Sequence, residues 1–218
     1  MSDNTSNNKR IAKNTLFLYI RMIFVLLVSL YSTRAILNAL GVVDYGIYNV
    51  VAGFVLMFAF LNSSMTNTIQ RFFNFERGNS NSDNLNKVYI TSLQIQITLG
   101  IITVVLLEII GIWYINNKMV IPVDRISAAM CVFQFSVISL FLLILQIPYG
   151  AAVVAHEKMG FYAIVSMVDV ILKLFIAFIL PYIPYDRLIY YGIFMLIISI
   201  ANIFLYFVYA KSLYWKCI

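Results

Sequence analysis

The sequence predicts an all-α, polytopic membrane bundle of about six transmembrane helices. Two observations carry that class. The chain is 62% hydrophobic and only 11% charged over 218 residues, whereas a soluble domain is roughly half apolar and about a quarter charged. Its apolar residues come in runs of about 20 or more, each long enough to cross a hydrocarbon layer. At a mean hydropathy of +0.91, no water-facing surface can be built from this composition. Strands of a membrane barrel would alternate apolar and polar residues over about ten positions, and that alternation is absent. Helices are the remaining solution, because lipid offers no partners for unpaired backbone groups.

The elements follow in order. Met1 to Asn8 is polar and reads as unstructured, and Lys9, Arg10 and Lys13 complete a polar, basic tail over residues 1–13. The helical lobe occupies residues 14–210. Its first run, Leu16 to Leu40, is too long and too interrupted by polar residues for a secretory leader, and no small-x-small cleavage site follows it. It is expected to be a retained helix. Gly41-Val42-Val43-Asp44 breaks the chain before the second run, Tyr45 to Met65. The long polar segment Glu76 to Asn84 separates that run from the third, Val88 to Trp113. Asn116-Asn117-Lys118 through Pro122-Val123-Asp124-Arg125 precedes the fourth, Ile126 to Ile147. His156-Glu157-Lys158 precedes the fifth, Phe161 to Leu180, and Pro181-Tyr182-Ile183-Pro184-Tyr185-Asp186 precedes the sixth, Leu188 to Tyr209. Each break is rich in turn-forming or polar residues. Residues 211–218 are read as a short cytoplasmic end.

Charge sets the expected orientation. With the N-terminus in the cytoplasm, Lys9, Arg10, Lys13, Arg71, Arg77, Lys87, Lys158, Lys211 and Lys216 lie inside, against Lys118, Arg125 and Arg187 outside. The positive-inside rule reads that imbalance as N-in and C-in. The net charge of +6 therefore concerns orientation. It does not argue for nucleic acid, since the basic residues are scattered over several loops without a basic groove.

Catalysis and metal chemistry find no footing. One histidine and two cysteines do not make a clustered ligand set, and no nucleophile elbow, phosphate loop or dinucleotide fingerprint occurs. No enzyme activity, cofactor or metal is expected. Cys131 falls within the fourth run and Cys217 at the cytoplasmic end, so both are expected as free thiols.

The informative residues are the charges inside the runs, because a charge at membrane depth costs several kcal/mol unless it meets a partner or a watery cavity. At the helical rise, Asp169 lies about 12 Å and Lys173 about 18 Å into the fifth run. Their i, i+4 spacing puts them on one face. They read either as a structural ion pair or as a site where Lys173 meets an anionic substrate and Asp169 tunes it. Arg34, about 27 Å from Leu16, shares a polar face with Tyr31 and Asn38 and reads equally as an interface anchor or a cavity-lining cation. Arg21, only about 8 Å in, is read as snorkelling to the headgroups. Glu108, near the far end of the third run, is read as an interfacial carboxylate. Asn62 to Arg71 closes the second run with hydrogen-bonding side chains. Asn67, Gln70 and Arg71 share a face there, as a polar helix end or as a gate or headgroup contact.

Six blocks stand out: Lys13-Asn14-Thr15-Leu16-Phe17-Leu18-Tyr19, Ser32-Thr33-Arg34, Leu40-Gly41-Val42-Val43-Asp44-Tyr45-Gly46-Ile47-Tyr48-Asn49-Val50-Val51, Gln70-Arg71-Phe72-Phe73-Asn74-Phe75-Glu76, Gln146-Ile147-Pro148-Tyr149-Gly150 and Ala155-His156-Glu157-Lys158-Met159. Together they resemble the polysaccharide-biosynthesis flippases of the multidrug/oligosaccharidyl-lipid/polysaccharide exporter superfamily. The resemblance implies a multi-pass protein of the bacterial inner membrane that flips undecaprenyl-pyrophosphate-linked oligosaccharide units for O-antigen or capsule assembly. It implies alternating access between two six-helix lobes, of which this chain is similar to the first. A second lobe, membrane lipid and polysaccharide assembly proteins are the partners it implies. Depth and charge, rather than the resemblance, nominate Arg34, Lys173, Asp169 and Asn38 as substrate contacts. A drug or cation antiporter of the same superfamily is an alternative, as is a membrane-embedded glycan polymerase or acyltransferase. The antiporter expects an unopposed acid, and the enzymes expect a catalytic cluster.

Overall fold

The computed structural model describes residues 2–78, 82–156 and 158–214. These form α1 (Ser2–Leu56), α2 (Phe60–Gly78), α3 (Ser82–Asn117), α4 (Ile126–Ala155), α5 (Met159–Ile179) and α6 (Arg187–Tyr214), with single 3-10 turns at Met57–Ala59, Val123–Arg125 and Leu180–Tyr182. Among the described residues, five stretches are long and apolar enough to cross a membrane: Thr15–Glu76, Asn84–Asn117, Val123–Ala155, Met159–Tyr182 and Arg187–Ser212.

The first of these is 62 residues long, about three times what one crossing needs. It is not a single rod. At Gly41 the backbone adopts φ 81° and ψ 167°, a region open in practice only to glycine. The break divides α1 into a first arm, residues 2–40, and a second arm, residues 42–56, which continues through Met57–Ala59 into α2.

The contacts of the two arms fix their directions. Along the first arm, Arg21 meets Ser166, Tyr31 meets Phe178 and Ala39 meets Arg187, so this arm runs parallel to α5. Along the second arm and α2, Asp44 meets Arg125, while Ile69 and Phe73 pack with Ile147, Ala151, Ala152 and Ala155, so this half runs parallel to α4. Arg125 at the start of α4 bonds Asp186 beyond the end of α5, which makes α4 and α5 antiparallel. The two arms therefore run in opposite directions. α3 opposes the second arm, with Leu85, Val88 and Tyr89 beside Phe73 and Tyr114 stacked on Phe54 at 5.0 Å.

α4 is the central helix. Its buried residues run from Ala128 to Ala155, and Phe133, Val132 and Val137 join Val51, Val55, Leu107 and Leu188 in the main core. Small side chains at Ala128, Ala129, Ala151 and Ala152 let neighbouring backbones approach, which is how helices pack where water exclusion offers little drive. Large apolar side chains such as Leu26, Leu27, Ile101, Ile109, Phe175 and Phe204 point outward, on helices long and apolar enough to cross a membrane.

Three expected boundaries move. The helix reaches back to Ser2 where an unstructured tail was expected, and residues 1–40 contain no glycine or proline to stop it. The polar stretch Asn62 to Arg71 does not close a helix, since α2 continues to Gly78. α4 passes through Pro148 to Ala155, beyond the predicted end at Ile147. Polar residues fail to end these helices because their hydroxyls bond back within the same helix. Thr68 donates to Ser64 O at 2.9 Å, Thr98 to Gln94 O at 2.9 Å and Ser136 to Val132 O at 2.8 Å. A satisfied hydroxyl competes only weakly with the helical ladder.

Charged side chains at one end of the bundle tie the connections together. Arg125 bridges Asp44 at 3.2 Å and Asp186 at 2.8 Å, and Asp186 Oδ1 accepts the Leu188 amide at 3.1 Å. Arg187 donates to Ala39 O and to Pro181 O, each at 3.2 Å. The Ala39 carbonyl lies next to the Gly41 break, where the helical ladder supplies no amide.

Gly41→Ala is expected to destabilise the chain by about 1–3 kcal/mol, the cost of forcing a side chain into that backbone region. Space is not the issue, since nothing lies within 4 Å of a Cβ built there. Gly46→Ala and Gly53→Ala, equally open and with ordinary helical backbone, should be neutral or better. Thermal midpoints of the purified variants in one detergent make the comparison, and equal midpoints for all three would remove the role given to Gly41.

Candidate functional site

The helical directions leave a cleft of about 410 Å³ between the second arm of α1, α4, α5 and α6. Its apolar wall comes from residues such as Val55, Leu140 and Ile198, and its polar wall from Ser136, Ser139 and Gln146 of α4, Ser166, Asp169 and Lys173 of α5, and Ser199 and Asn202 of α6. A cluster of that polarity between apolar helices is a site signal, because polar and charged groups placed there need partners or a ligand.

Asp169 and Lys173 meet here as their spacing predicts. Lys173 Nζ lies 2.7 Å from Asp169 Oδ2, and Asn202 Nδ2 donates to Asp169 Oδ1 at 2.7 Å. The carboxylate is thus held by two donors from two helices. Its side chain is 19% exposed and that of Lys173 35%, so both open onto the cleft. Asn202 was not singled out from the sequence. The available signal was its place as the one carboxamide in the sixth run, sharing a face with Ser199 by i, i+3 spacing.

Arg34 and Asn38 lie elsewhere. Both are exposed, and with Tyr31 and Tyr182 they line a separate pocket of about 430 Å³ between the first arm and the end of α5. That pocket shares no lining residue with the cleft. The expected substrate set of Arg34, Asn38, Asp169 and Lys173 therefore divides into two places. The reason is geometric: the two groups ride on parallel elements, and the α1–α5 contact that aligns them separates their faces.

Arg21, read as snorkelling, has partners on α5: its Nε donates to Ser166 Oγ at 2.7 Å and its guanidinium sits 4.5 Å over the Tyr162 ring. α5 supplies a hydroxyl and an aromatic face at the depth where the side chain leaves α1, and a cation over a ring is favourable where water is scarce. Since Ser166 also lines the cleft, Arg21 stands behind its wall. Glu108 turns inward, accepting from Gln134 Nε2 at 3.0 Å.

Asn67 and Arg71 are exposed and Gln70 is half-buried on α2, flanking the Ile69 and Phe73 side chains that pack on α4. None of the three lines the cleft. Cys131 is a free thiol within α4; Cys217 lies outside the described residues. Among the described residues no group of three or more His, Cys, Asp and Glu side chains converges on a metal-sized point.

Removing one partner of an ion pair away from water leaves the other charge uncompensated, and that costs more than removing both. Asp169→Asn and Lys173→Gln are therefore each expected to lower the thermal midpoint and the amount of folded chain recovered in detergent. The double variant should recover most of the loss. A double variant that is worse than the sum of the singles would contradict the pairing.

No family model matches the chain, and neither does any curated protein or solved structure.

Proposed function

We propose that this chain is one six-crossing lobe of a flippase that carries undecaprenyl-pyrophosphate-linked oligosaccharides across a bacterial inner membrane for O-antigen or capsule assembly. The observation that carries the proposal is the polar, ion-paired cleft between four helices of an apolar bundle. A lipid-linked diphosphate brings negative charge and a bulky polar glycan, so its path must offer cations and hydrogen-bonding groups while staying accessible to lipid. Lys173 supplies the cation, and Gln146, Asn202 and the cleft serines supply contacts for sugar hydroxyls. The resemblance of the Leu40 to Tyr48 block supports the same reading.

Counting the two antiparallel arms of the first stretch separately gives six crossings from five apolar stretches. In this reading the end that carries Arg125 and Arg187 faces the periplasm, and both termini face the cytoplasm, in line with the excess of Lys and Arg on the other side. A second lobe completes the transport path. A drug or cation antiporter needs an acid free to take the cation, and Lys173 at 2.7 Å from Asp169 opposes that.

Arg34 acts here as an interface anchor rather than a substrate contact, because it is exposed in a pocket apart from the cleft. An anchor needs only a long cation that reaches headgroups. A diphosphate contact would instead depend on the planar guanidinium fork.

Two measurements test this reading. In cysteine-accessibility labelling, Ser80→Cys should react from the cytoplasmic side and Asn117→Cys from the periplasmic side; the opposite pattern would overturn the orientation. Surface polysaccharide should be assayed in a strain whose only flippase carries this chain. The double variant Asp169→Asn/Lys173→Gln should accumulate normally yet lose display, whereas Arg34→Lys and Arg34→Gln should leave display largely intact. Full display from the double variant would sink the substrate role of the cleft.

A further inference from the structure

We propose that the Asp169 carboxylate occupies a phosphate-binding site of its own cleft, and that an incoming phosphate displaces it from Lys173 and Asn202. The inference rests on reading the cleft as the path of an anionic, lipid-linked substrate. It adds the subsite where the charged group binds and the means by which the protein limits its affinity there.

The geometry behind it is a two-point anion clasp. An ammonium from α5 and a carboxamide from α6 each lie 2.7 Å from a different oxygen of the same carboxylate. Two oxygens on one central atom, each taken by a separate nitrogen donor, is also how a phosphate presents itself, with stronger charge and a further oxygen to spare. Lys173 brings three N–H donors, more than one carboxylate oxygen uses. The clasp opens onto the cleft, with Lys173 about a third exposed, so a ligand can reach the ammonium without parting the helices.

Displacement is mechanically simple. Asp169 and Lys173 sit four residues apart on one helix, and a change of side-chain rotamer separates them with no backbone movement. Energetically, Asp169 does two things. In the empty state it neutralises a cation that would otherwise stand alone away from water. In the loaded state it competes with the substrate for the same donors, which weakens binding and favours release. A merely structural pair would do only the first.

The two roles predict opposite effects of removing the carboxylate. Asp169→Ala vacates the clasp, so inorganic pyrophosphate should bind the purified 218-residue chain about tenfold more tightly than it binds the wild type, a difference of about 1.4 kcal/mol. Because a ligand that binds only the folded chain raises its thermal midpoint, the destabilised variant is itself the assay. Pyrophosphate should raise the midpoint of Asp169→Ala by several degrees over chloride at equal ionic strength, and that of Asp169→Ala/Lys173→Gln by no more than it raises the wild type. Should Asp169→Ala not accumulate, Asp169→Asn, which keeps the shape but drops the charge, goes through the same comparison. A shift in the variant no larger than in the wild type overturns the proposal.

Binding of undecaprenyl diphosphate in lipid nanodiscs, measured alongside, separates this inference from the flippase reading. If the wild type binds the lipid but Asp169→Ala binds it no more tightly, the carboxylate is not a placeholder and the inference falls while the transport reading stands. If Asp169→Ala gains pyrophosphate binding while neither protein binds the lipid, the phosphate subsite stands and the flippase reading falls.

Discussion

Away from water, each backbone amide and carbonyl must find its partner inside the protein, and the organisation of this chain follows from how that demand is met at Gly41. A long apolar helix satisfies its own ladder but cannot turn back on itself. The φ 81° backbone at Gly41 lets the chain reverse at the expense of interrupting the ladder. The carbonyl of Ala39 is then taken by Arg187, and the connection just beyond is held by Arg125 through Asp44. The reversal sends the first arm along α5 and the second along α4. Without it there would be no cleft, because the second arm forms one of its four walls.

Charge imposes the next constraint, and the charged residues within the apolar helices meet it in different ways. Asp169 and Lys173 neutralise each other and recruit Asn202. Arg21 finds a hydroxyl and an aromatic ring on α5, and Glu108 finds the carboxamide of Gln134. Arg34, close to the end of its arm, stays exposed beside Asn38, Tyr31 and Tyr182. Position along the helix does not sort these solutions, since Arg21 and Arg34 lie at comparable distances from the two ends of the Leu16 to Leu40 run; what differs is whether a neighbouring helix presents a partner. Matching does not exclude function. A pair that opens onto a cleft can exchange one member for a ligand, whereas a pair sealed in a core cannot.

Hydroxyl groups play a quieter part. Serine and threonine occur throughout the apolar helices, and many donate to the carbonyl four residues earlier, as Thr33, Ser92, Thr103 and Ser199 do. This lets polar stretches stay helical, and it explains why the Asn62 to Arg71 segment belongs to a helix rather than ending one. It also leaves Ser136, Ser166 and Ser199 lining the cleft with their hydrogens already committed to helix carbonyls.

By itself the sequence determined the class: composition and run length force apolar helices, the Gly41 to Asp44 segment marks a reversal, and the spacing of Asp169 and Lys173 forces them onto one face. These are local or additive properties, so they can be read without knowing which helix lies beside which. The tertiary structure decided the rest. The helical ladder ran on through the polar stretch at Asn62 because polarity alone does not break a helix, and α4 ran past Ile147 through Pro148 to Ala155. Arg21 gained partners that its own run does not show, because α5 places Ser166 and Tyr162 beside it. Asn202 joined the ion pair and Arg34 was kept apart from it because α6 packs on one face of α5 and the first arm on another. Which charges share a site depends on the rotation of each helix about its axis, and packing against neighbours fixes that rotation.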